Sequence, residues 1–177
     1  MDKRELRTHI RNRIATLSDE QRDLASRSIF EQVERLDEFI TADVVALYAA
    51  LPDEPQSMPS IAKWSRDKRI VLPRVEGDVM RFYDYAPEQM QSGAFGINEP
   101  QGLTPCPPEE IELMVVPGVA FTPCGKRMGR GKGFYDKYLS QSDFCARTVG
   151  VCFREQVVND IPTDHHDRCV DKVIFND

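Results

Sequence analysis

Four basic side chains and three glycines are concentrated in residues 126–133, which read KRMGRGKG. The glycines alternate with longer residues and carry no Cβ, so backbone N–H groups can approach a ligand closely there. The basic side chains would repel one another at this density unless an anion lay among them. We call residues 126–133 the basic loop and interpret it as a candidate binding site for a phosphate group.

The residues after the basic loop add two features that suit phosphate chemistry. The sequence FYDKYL at residues 134–139 could begin a helix, and the N-terminus of a helix carries a partial positive charge. Asp136 lies in this stretch, where its carboxylate could hold a Mg²⁺ ion that bridges phosphate oxygens. The segment thus offers a cation cluster and a metal-binding carboxylate close together in the chain.

Standard nucleotide-binding motifs do not fit the basic loop. The pattern G-x-x-x-x-G-K-[ST] fails because Gly133 follows Lys132, and the pattern G-x-G-x-x-G fails at Phe134. A surface turn with solvated charges has the same composition, because glycine and basic residues are common in such turns. From the residues alone, a phosphate-binding loop and a solvated turn both remain open.

The basic loop and the strand predicted before it resemble a family signature. Val-Pro-Gly at residues 116–118, Phe121 and RMGRGKGFYD at residues 127–136 follow one another in the chain. This order resembles 5-formyltetrahydrofolate cyclo-ligases, also called methenyltetrahydrofolate synthetases, whose loop reads like R-x-G-x-G-x-G-[YF]-Y-D. The resemblance runs from Lys3 to Phe175. Its main departure is Phe134, where many relatives have Tyr, so we assign no proton transfer to residue 134.

The resemblance implies an enzyme that uses ATP and Mg²⁺ to convert 5-formyltetrahydrofolate to 5,10-methenyltetrahydrofolate, releasing ADP and phosphate. Its partners would then be these small-molecule substrates, and neither nucleic acid nor a membrane. The alternative is a non-catalytic folate- or nucleotide-binding module on the same scaffold.

The resemblance also implies where ATP binds. Family members begin with a K-x-x-x-R pattern that reaches the phosphates, and Lys3 and Arg7 match it. Without the resemblance, these two residues are typical of a solvated helix face. The implied ATP-binding residues are Lys3, Arg4, Glu5, Leu6, Arg7, Arg127, Met128, Gly129, Arg130, Gly131, Lys132, Gly133, Phe134 and Tyr135. Among them, Arg127, Arg130 and Lys132 are expected to be catalytic.

The implied folate-binding residues are Ala49, Glu54, Phe134 and Tyr135, and the implied Mg²⁺ ligands are Asp136 and Asp167. Glu54 follows a predicted buried strand, and loops after such strands gather at the ligand-binding edge of an α/β sheet. Without the resemblance, Glu54 is more typical of a turn residue or of a charge at the start of a helix. Asp164 and Asp171 compete with Asp167 for the metal, and only the resemblance selects Asp167.

Periodic apolar patterns predict the elements that position these residues. Stripes of apolar side chains predict amphipathic helices over residues 2–17 and 19–36, packed as a hairpin or corner on one side of a sheet. Apolar runs predict buried strands at residues 44–50, 69–75, 114–121, 148–153 and 170–175, with an edge strand or hairpin arm at 80–85. Residues 57–67 are predicted to form a helix capped by Ser57.

This alternation of helices and strands predicts an α/β protein with a mostly parallel central sheet flanked by helices on both sides. We expect three layers and a single domain over residues 1–177. A long connection at residues 93–108, containing the family-like phrase G-I-x-E-P, is assigned to the rim of the folate pocket.

Composition sets the outer limits on function. The net charge of −6 and the pI of about 5.2 argue against a general nucleic-acid binder, so the basic loop is a local feature. No apolar run approaches the ~20 residues of a membrane span. The N-terminus lacks the apolar core of a signal peptide, so we expect a cytoplasmic protein, and we expect a monomer. Five cysteines without a C-x-x-C pair indicate neither a disulfide framework nor structural zinc.

Overall fold

The computed structural model describes residues 1–93 and 98–177 of the chain. The described helices are α1 (Lys3–Ala15), α2 (Asp19–Glu34), α3 (Asp37–Thr41), α4 (Met58–Trp64) and α5 (Phe134–Leu139). The described strands are β1 (Val44–Ala46), β2 (Arg69–Glu76), β3 (Val79–Asp84), β4 (Met90–Ser92), β5 (Asn98–Pro100), β6 (Leu113–Val116), β7 (Ala120–Phe121), β8 (Arg127–Met128), β9 (Arg147–Cys152) and β10 (Lys172–Phe175). Among the described residues, no helix is both long and apolar enough to cross a lipid bilayer.

Six strands form one central sheet in the order β10-β9-β6-β1-β2-β3. The first five are mutually parallel, and β3 returns antiparallel to β2 at the edge. This arrangement confirms the predicted α/β class with a mostly parallel sheet, and it confirms the hairpin arm predicted at residues 80–85. The β2–β3 pairing continues to Glu76 and Val79, well past the last pairing of β2 with β1 at Val71. The hairpin therefore projects beyond the carboxyl edge of β1.

Helices cover both faces of this sheet. On one face, α2, α3 and α4 contribute apolar side chains to the core, and the rings of Phe39 and Trp64 lie 4.5 Å apart. On the other face, Tyr138 of α5 packs against Phe82 of β3 with the ring centroids 4.8 Å apart. The predicted flanking of the sheet by helices is confirmed.

Helix α1 buries its apolar stripe in a different core from α2, so the predicted packing of both helices on one side of the sheet is wrong. The apolar stripe of α1 packs against Ala120 and Met128, on the short ribbon formed by β7 and β8, and against Ile161. This separate small core exists because the chain leaves the sheet after β6 and forms a second apolar surface. As a result, α1 lies beside the basic loop.

Two predicted strands need correction in their bounds, and one predicted helix cap is wrong. The strand predicted at residues 44–50 ends at Ala46, after which the chain is buried but irregular. The strand predicted at residues 114–121 is interrupted at Pro117, which has no N–H to continue the ladder. Ser57 does not cap α4 with its side chain, because its Oγ donates to the Tyr48 carbonyl at 2.5 Å.

Phe121 holds the β7–β8 ribbon against the central sheet. Its side chain is fully buried, and its ring fits over two glycines. A Cβ added at Gly150 of β9 would lie 2.4 Å from the ring, and one added at Gly118 would lie 2.9 Å from it. Real Cβ atoms do not approach so closely, so both positions require glycine to keep the ring in place.

We predict that Gly150→Ala lowers the free energy of unfolding by about 1–3 kcal/mol, because the added methyl forces the Phe121 ring out of its position. Gly102→Ala is the matched control, since its new Cβ would lie at an ordinary 3.6 Å from Tyr83. We expect that control to stay within about 0.5 kcal/mol of wild type. Urea unfolding of the three proteins measures the difference, and equal stabilities would contradict the proposed packing constraint.

Candidate active site

A cavity of about 1000 Å³ opens at the carboxyl ends of β1 and β6, the edge at which open α/β sheets bind ligands. It brings together residues from α1, the loop after β1, the basic loop, α5 and the segment before β10. The predicted site residues that line it are Lys3, Arg7, Ala49, Glu54, Arg127, Met128, Gly129, Arg130, Gly131, Lys132, Gly133, Phe134, Tyr135, Asp136 and Asp167.

Arg4, Glu5 and Leu6 do not line the cavity, so the structure offers no contact to support an ATP-binding role for them. Leu6 is buried in the core beneath α1. Glu5 completes a capping box, in which the Asp2 N–H donates to its carboxylate at 3.0 Å. Because α1 is helical, only Lys3 and Arg7, which are one turn apart, face the site from this segment.

The basic loop is held in place by α1 and by its own glycines. Arg7 Nε donates to the Gly129 carbonyl at 3.0 Å. Gly131 and Gly133 have φ angles of 108° and 73°, a conformation that side-chain-bearing residues rarely adopt. Gly133 caps α5, which confirms the helix start predicted after the loop.

Arg127 is buried, and its contacts connect the end of β6 with the start of α5. Its Nε donates to the Pro117 carbonyl at 2.7 Å, at the break after β6. Its guanidinium lies 4.0 Å from the Asp136 carboxylate and 5.0 Å from the centroid of the Tyr135 ring. Burial lowers the pKa of Arg127, and Asp136 opposes that effect. The positive charge is thus fixed in a position that costs solvation energy, as is common at functional sites.

Arg130 links the basic loop to the residues after β1. Its Nη2 lies 2.7 Å from Asp53 Oδ1 and 3.3 Å from Glu54 Oε2. Glu54 is buried, and its Oε1 accepts a hydrogen bond from the Leu51 N–H at 2.9 Å. Burial raises the pKa of Glu54, while the Leu51 N–H and the Arg130 charge act against the increase. Sequence analysis did not identify Asp53, which carries no motif beyond its position beside Glu54.

Asp136 and Asp167 each have one engaged and one free carboxylate oxygen. Asp136 Oδ1 accepts from the Arg168 N–H at 3.0 Å. Asp167 Oδ2 accepts from Lys3 Nζ at 2.7 Å and from the Asp164 N–H at 3.0 Å. No described residue donates a hydrogen bond to Asp136 Oδ2 or Asp167 Oδ1, so one oxygen of each can face a ligand.

Asp136 and Asp167 suit a Mg²⁺ ion that is also bound by phosphates and water. They do not suit a metal site built from protein side chains alone. Within residues 1–93 and 98–177, no three His, Cys, Asp or Glu side chains come close enough to hold a metal by themselves. Mg²⁺ is usually bound through one or two carboxylates together with phosphates and water. Of the competing aspartates, Asp171 is engaged by the Thr148 N–H at 2.9 Å and does not line the cavity, whereas Asp164 does line it.

Several lining residues were missed by sequence analysis or only loosely assigned. Those missed are Tyr48, Leu51, Pro73, Val75, Lys137, Ser140, His165, His166 and Arg168. Met80 of β3 also lines the cavity, whereas Phe82 and Tyr83 of the same strand do not. In the G-I-x-E-P phrase, Gly96 and Ile97 fall outside the described residues, while Glu99 lines the cavity. The sequence signal for Lys137 is its position one helical turn after Phe134.

Comparison with known proteins identifies the family. The model of the 5-formyltetrahydrofolate cyclo-ligase family matches residues 1–176. The chain belongs to the 5-formyltetrahydrofolate cyclo-ligase family. This confirms the family suggested by the basic loop and its flanking residues, and with it the interpretation of the chain as an enzyme that forms 5,10-methenyltetrahydrofolate.

Relatives cover nearly the whole chain. A probable 5-formyltetrahydrofolate cyclo-ligase of Schizosaccharomyces pombe is 30% identical over 98% of this chain and 95% of its own length. The 5-formyltetrahydrofolate cyclo-ligase of Haemophilus influenzae is 31% identical over 93% and 92%. The solved structure of the Aquifex aeolicus 5,10-methenyltetrahydrofolate synthetase superposes with a TM-score of 0.88 at 35% identity, covering 98% of this chain and 89% of that one.

The buried carboxyl group of Glu54 leads to a prediction about pH and stability. Its pKa in the folded protein lies above the ordinary value of 4.5, so the folded state binds the proton more tightly than the unfolded state. Stability from this group is therefore present at pH below about 4.5 and is lost as the pH rises through the raised pKa.

We expect the free energy of unfolding of wild type, minus that of Glu54→Gln, to fall as the pH increases from 4 to 8. Denaturant unfolding of both proteins at several pH values measures this difference. A difference that rises with pH would show that the Arg130 and Leu51 contacts outweigh burial.

Proposed function

We propose that this member of the cyclo-ligase family converts 5-formyltetrahydrofolate to 5,10-methenyltetrahydrofolate in a reaction that requires ATP and Mg²⁺ and releases ADP and phosphate. The observation that carries the proposal is that residues 127–133 of the basic loop and the two aspartates line the same cavity as the buried Glu54. The basic loop and the two aspartates suit a triphosphate and its metal, and Glu54 suits a pterin.

The reaction must activate a poor leaving group. The formyl oxygen on N5 attacks the γ-phosphorus of ATP, and ADP leaves. N10 then attacks the formyl carbon of the resulting imidate phosphate, the bond from that carbon to the phosphate oxygen breaks, and N10 loses its proton, which closes the ring and releases inorganic phosphate. Catalysis of phosphoryl transfer depends mainly on positioning and on charge stabilisation. The protein therefore needs fixed cations near the phosphates and no covalent nucleophile.

The proposed phosphate-binding groups differ in how firmly they are held. Arg127 is locked by burial and by its bond to Pro117, so it acts as a preorganised charge. Lys132 is exposed and forms no hydrogen bond or ion pair with any described residue, which leaves its charge available to a ligand. Lys3 and Arg7 reach the same region from α1. We propose that these side chains and the glycine N–H groups bind the β- and γ-phosphates, with Arg130 beside them.

Asp136 and Asp167 would hold the Mg²⁺ ion through their free oxygens. The ion would neutralise negative charge on the phosphate oxygens. Asp167 is paired with Lys3 at 2.7 Å, so this lysine also fixes the orientation of the carboxylate.

Glu54 is proposed to orient the pterin by accepting hydrogen bonds from its ring N–H and amino groups. The Leu51 N–H and Arg130 hold the carboxylate from the protein side. Ala49, Phe134 and Tyr135 would form neighbouring walls. Because Arg130 contacts Glu54 and belongs to the basic loop, the same side chain would connect the folate and phosphate parts of the cavity. A cytoplasmic monomer remains the expectation from sequence.

The direct test is the absorbance of methenyltetrahydrofolate after mixing the protein with 5-formyltetrahydrofolate. We expect product only when ATP and Mg²⁺ are both present, and none after chelation of Mg²⁺. Product formed without ATP would contradict the phosphoryl-transfer route. A stable folate complex without turnover in the full mixture would favour the alternative, a non-catalytic binding module.

We predict that Lys132→Ala lowers kcat/KM for ATP by roughly ten- to a hundred-fold, as expected for the loss of one charge-assisted contact worth about 1.5–3 kcal/mol. Lys126→Ala is the matched control from the same loop, because Lys126 Nζ is paired with Asp160 at 2.7 Å and does not line the cavity. We expect that control to behave like wild type. Equal kinetics for both variants would remove Lys132 from phosphate binding.

A further inference from the structure

One part of the cavity extends beyond the regions assigned to phosphate and pterin, and it shares only Phe134 with them. Its walls are apolar and consist of Pro73 and Val75 of β2, Met80 of β3 and Phe134 of α5. We call these four side chains the apolar trough. All except Met80 are partly exposed, so a flat aromatic group lying along them would cover apolar surface.

The pairing of β2 with β3 shows in which direction the trough runs. Pro73 pairs with Phe82, and Val75 pairs with Met80, which is nearer to the turn of the β2–β3 hairpin. The hairpin projects past the end of β1, so the trough leads away from the loop that carries Glu54 and toward the turn at residues 77–78.

Lys137 lies at the turn end of the trough. Its Nζ donates to the Asp78 carbonyl at 3.1 Å, and the side chain is exposed. Phe134 and Lys137 are three residues apart on α5, so they share a face of the helix, and both line the cavity. A molecule extended along the trough from Phe134 would therefore meet this ammonium group as it left the protein.

The charge of Lys137 is not neutralised by the protein. Across the described ranges Lys137 forms no ion pair, whereas Lys3 and Arg130 in the same cavity each contact a carboxylate. Glu99 also lines the cavity, and its carboxylate accepts a hydrogen bond from the Val75 N–H at 2.9 Å. Because it is an acidic group, it repels an anion and does not bind one. Negative charge arriving at this end of the trough would be drawn to Lys137.

The substrate proposed above has matching parts. A folate consists of a pterin, an aromatic amide and a glutamate whose carboxylates are the anionic end of the molecule. With the pterin at Glu54, the aromatic amide can lie along the apolar trough and the glutamate can reach its outer end. We infer that Lys137 binds a carboxylate of the glutamate tail and so favours folates that carry this tail, an inference that rests on the proposed function.

The test compares 5-formyltetrahydrofolate with 5-formyltetrahydropteroate, which has the same pterin and aromatic group but no glutamate. Isothermal titration calorimetry gives the Kd of each compound for wild type and for Lys137→Ala. We expect the preference for the glutamylated compound to fall by roughly two- to fivefold in Lys137→Ala, the size expected for one exposed charge pair. The effect should shrink as the salt concentration rises.

Two controls separate charge recognition from other effects. Lys137→Arg should keep most of the preference, because it keeps the charge. Lys63→Ala removes an exposed lysine from α4, remote from the cavity lining, and should keep the full preference.

An unchanged preference in Lys137→Ala would overturn the inference. Equal weakening of both compounds would also overturn it, since that result means Lys137 only holds α5 against the β2–β3 turn. Binding of both compounds by wild type without formation of methenyltetrahydrofolate would refute the proposed function instead, and the ratio of Kd values would still decide the role of Lys137.

Discussion

The site depends on one buried cation. Arg127 connects the break after β6, through the Pro117 carbonyl, with the start of α5, through Tyr135 and Asp136. A buried guanidinium is costly unless hydrogen bonds and opposite charge compensate it, and here one carbonyl and one carboxylate at 4.0 Å do so only in part. Gly129 leaves space for it, since a Cβ there would lie 3.1 Å from Nη2. The beginning of the basic loop is therefore shaped around a positive charge that an anionic ligand would complete.

The sequence predicted the central features of the fold because they have periodic signals. Continuous apolar runs indicated buried parallel strands, and a stripe of apolar side chains indicated α1. The position of α1 was not predictable in the same way. It packs on β7 and β8, which are two residues long and show no periodicity, and their pairing depends on the interruption at Pro117. The family signature predicts part of this position, because it assigns Lys3 and Arg7 of α1 to the same phosphate site as the basic loop.

Side-chain orientation explains where the site predictions were too broad. A contiguous segment from the N-terminus was expected to bind ATP, but a helix turns Leu6 into the core and leaves Glu5 to cap its own N-terminus. Conversely, no sequence pattern identifies Asp53 as a site residue. Its role follows from its ion pair with Arg130 of the basic loop. Glu54 and Arg127 share a feature that composition cannot reveal, namely ionisable groups buried where solvent would stabilise them better. Such groups lower stability and are typical of sites retained for function.

The ion pair between Lys3 and Asp167 has a consequence for how the cavity fills. In this arrangement the lysine neutralises the very carboxylate that would otherwise attract a divalent cation. Under the proposed roles, a triphosphate that drew Lys3 toward itself would leave the Asp167 carboxylate with more of its negative charge for a metal at the free oxygen. The nucleotide would thereby favour the metal and, because such linkage is reciprocal, the metal would favour the nucleotide. With these roles, the Lys3–Asp167 pair would favour the binding of both as one complex over the binding of either alone.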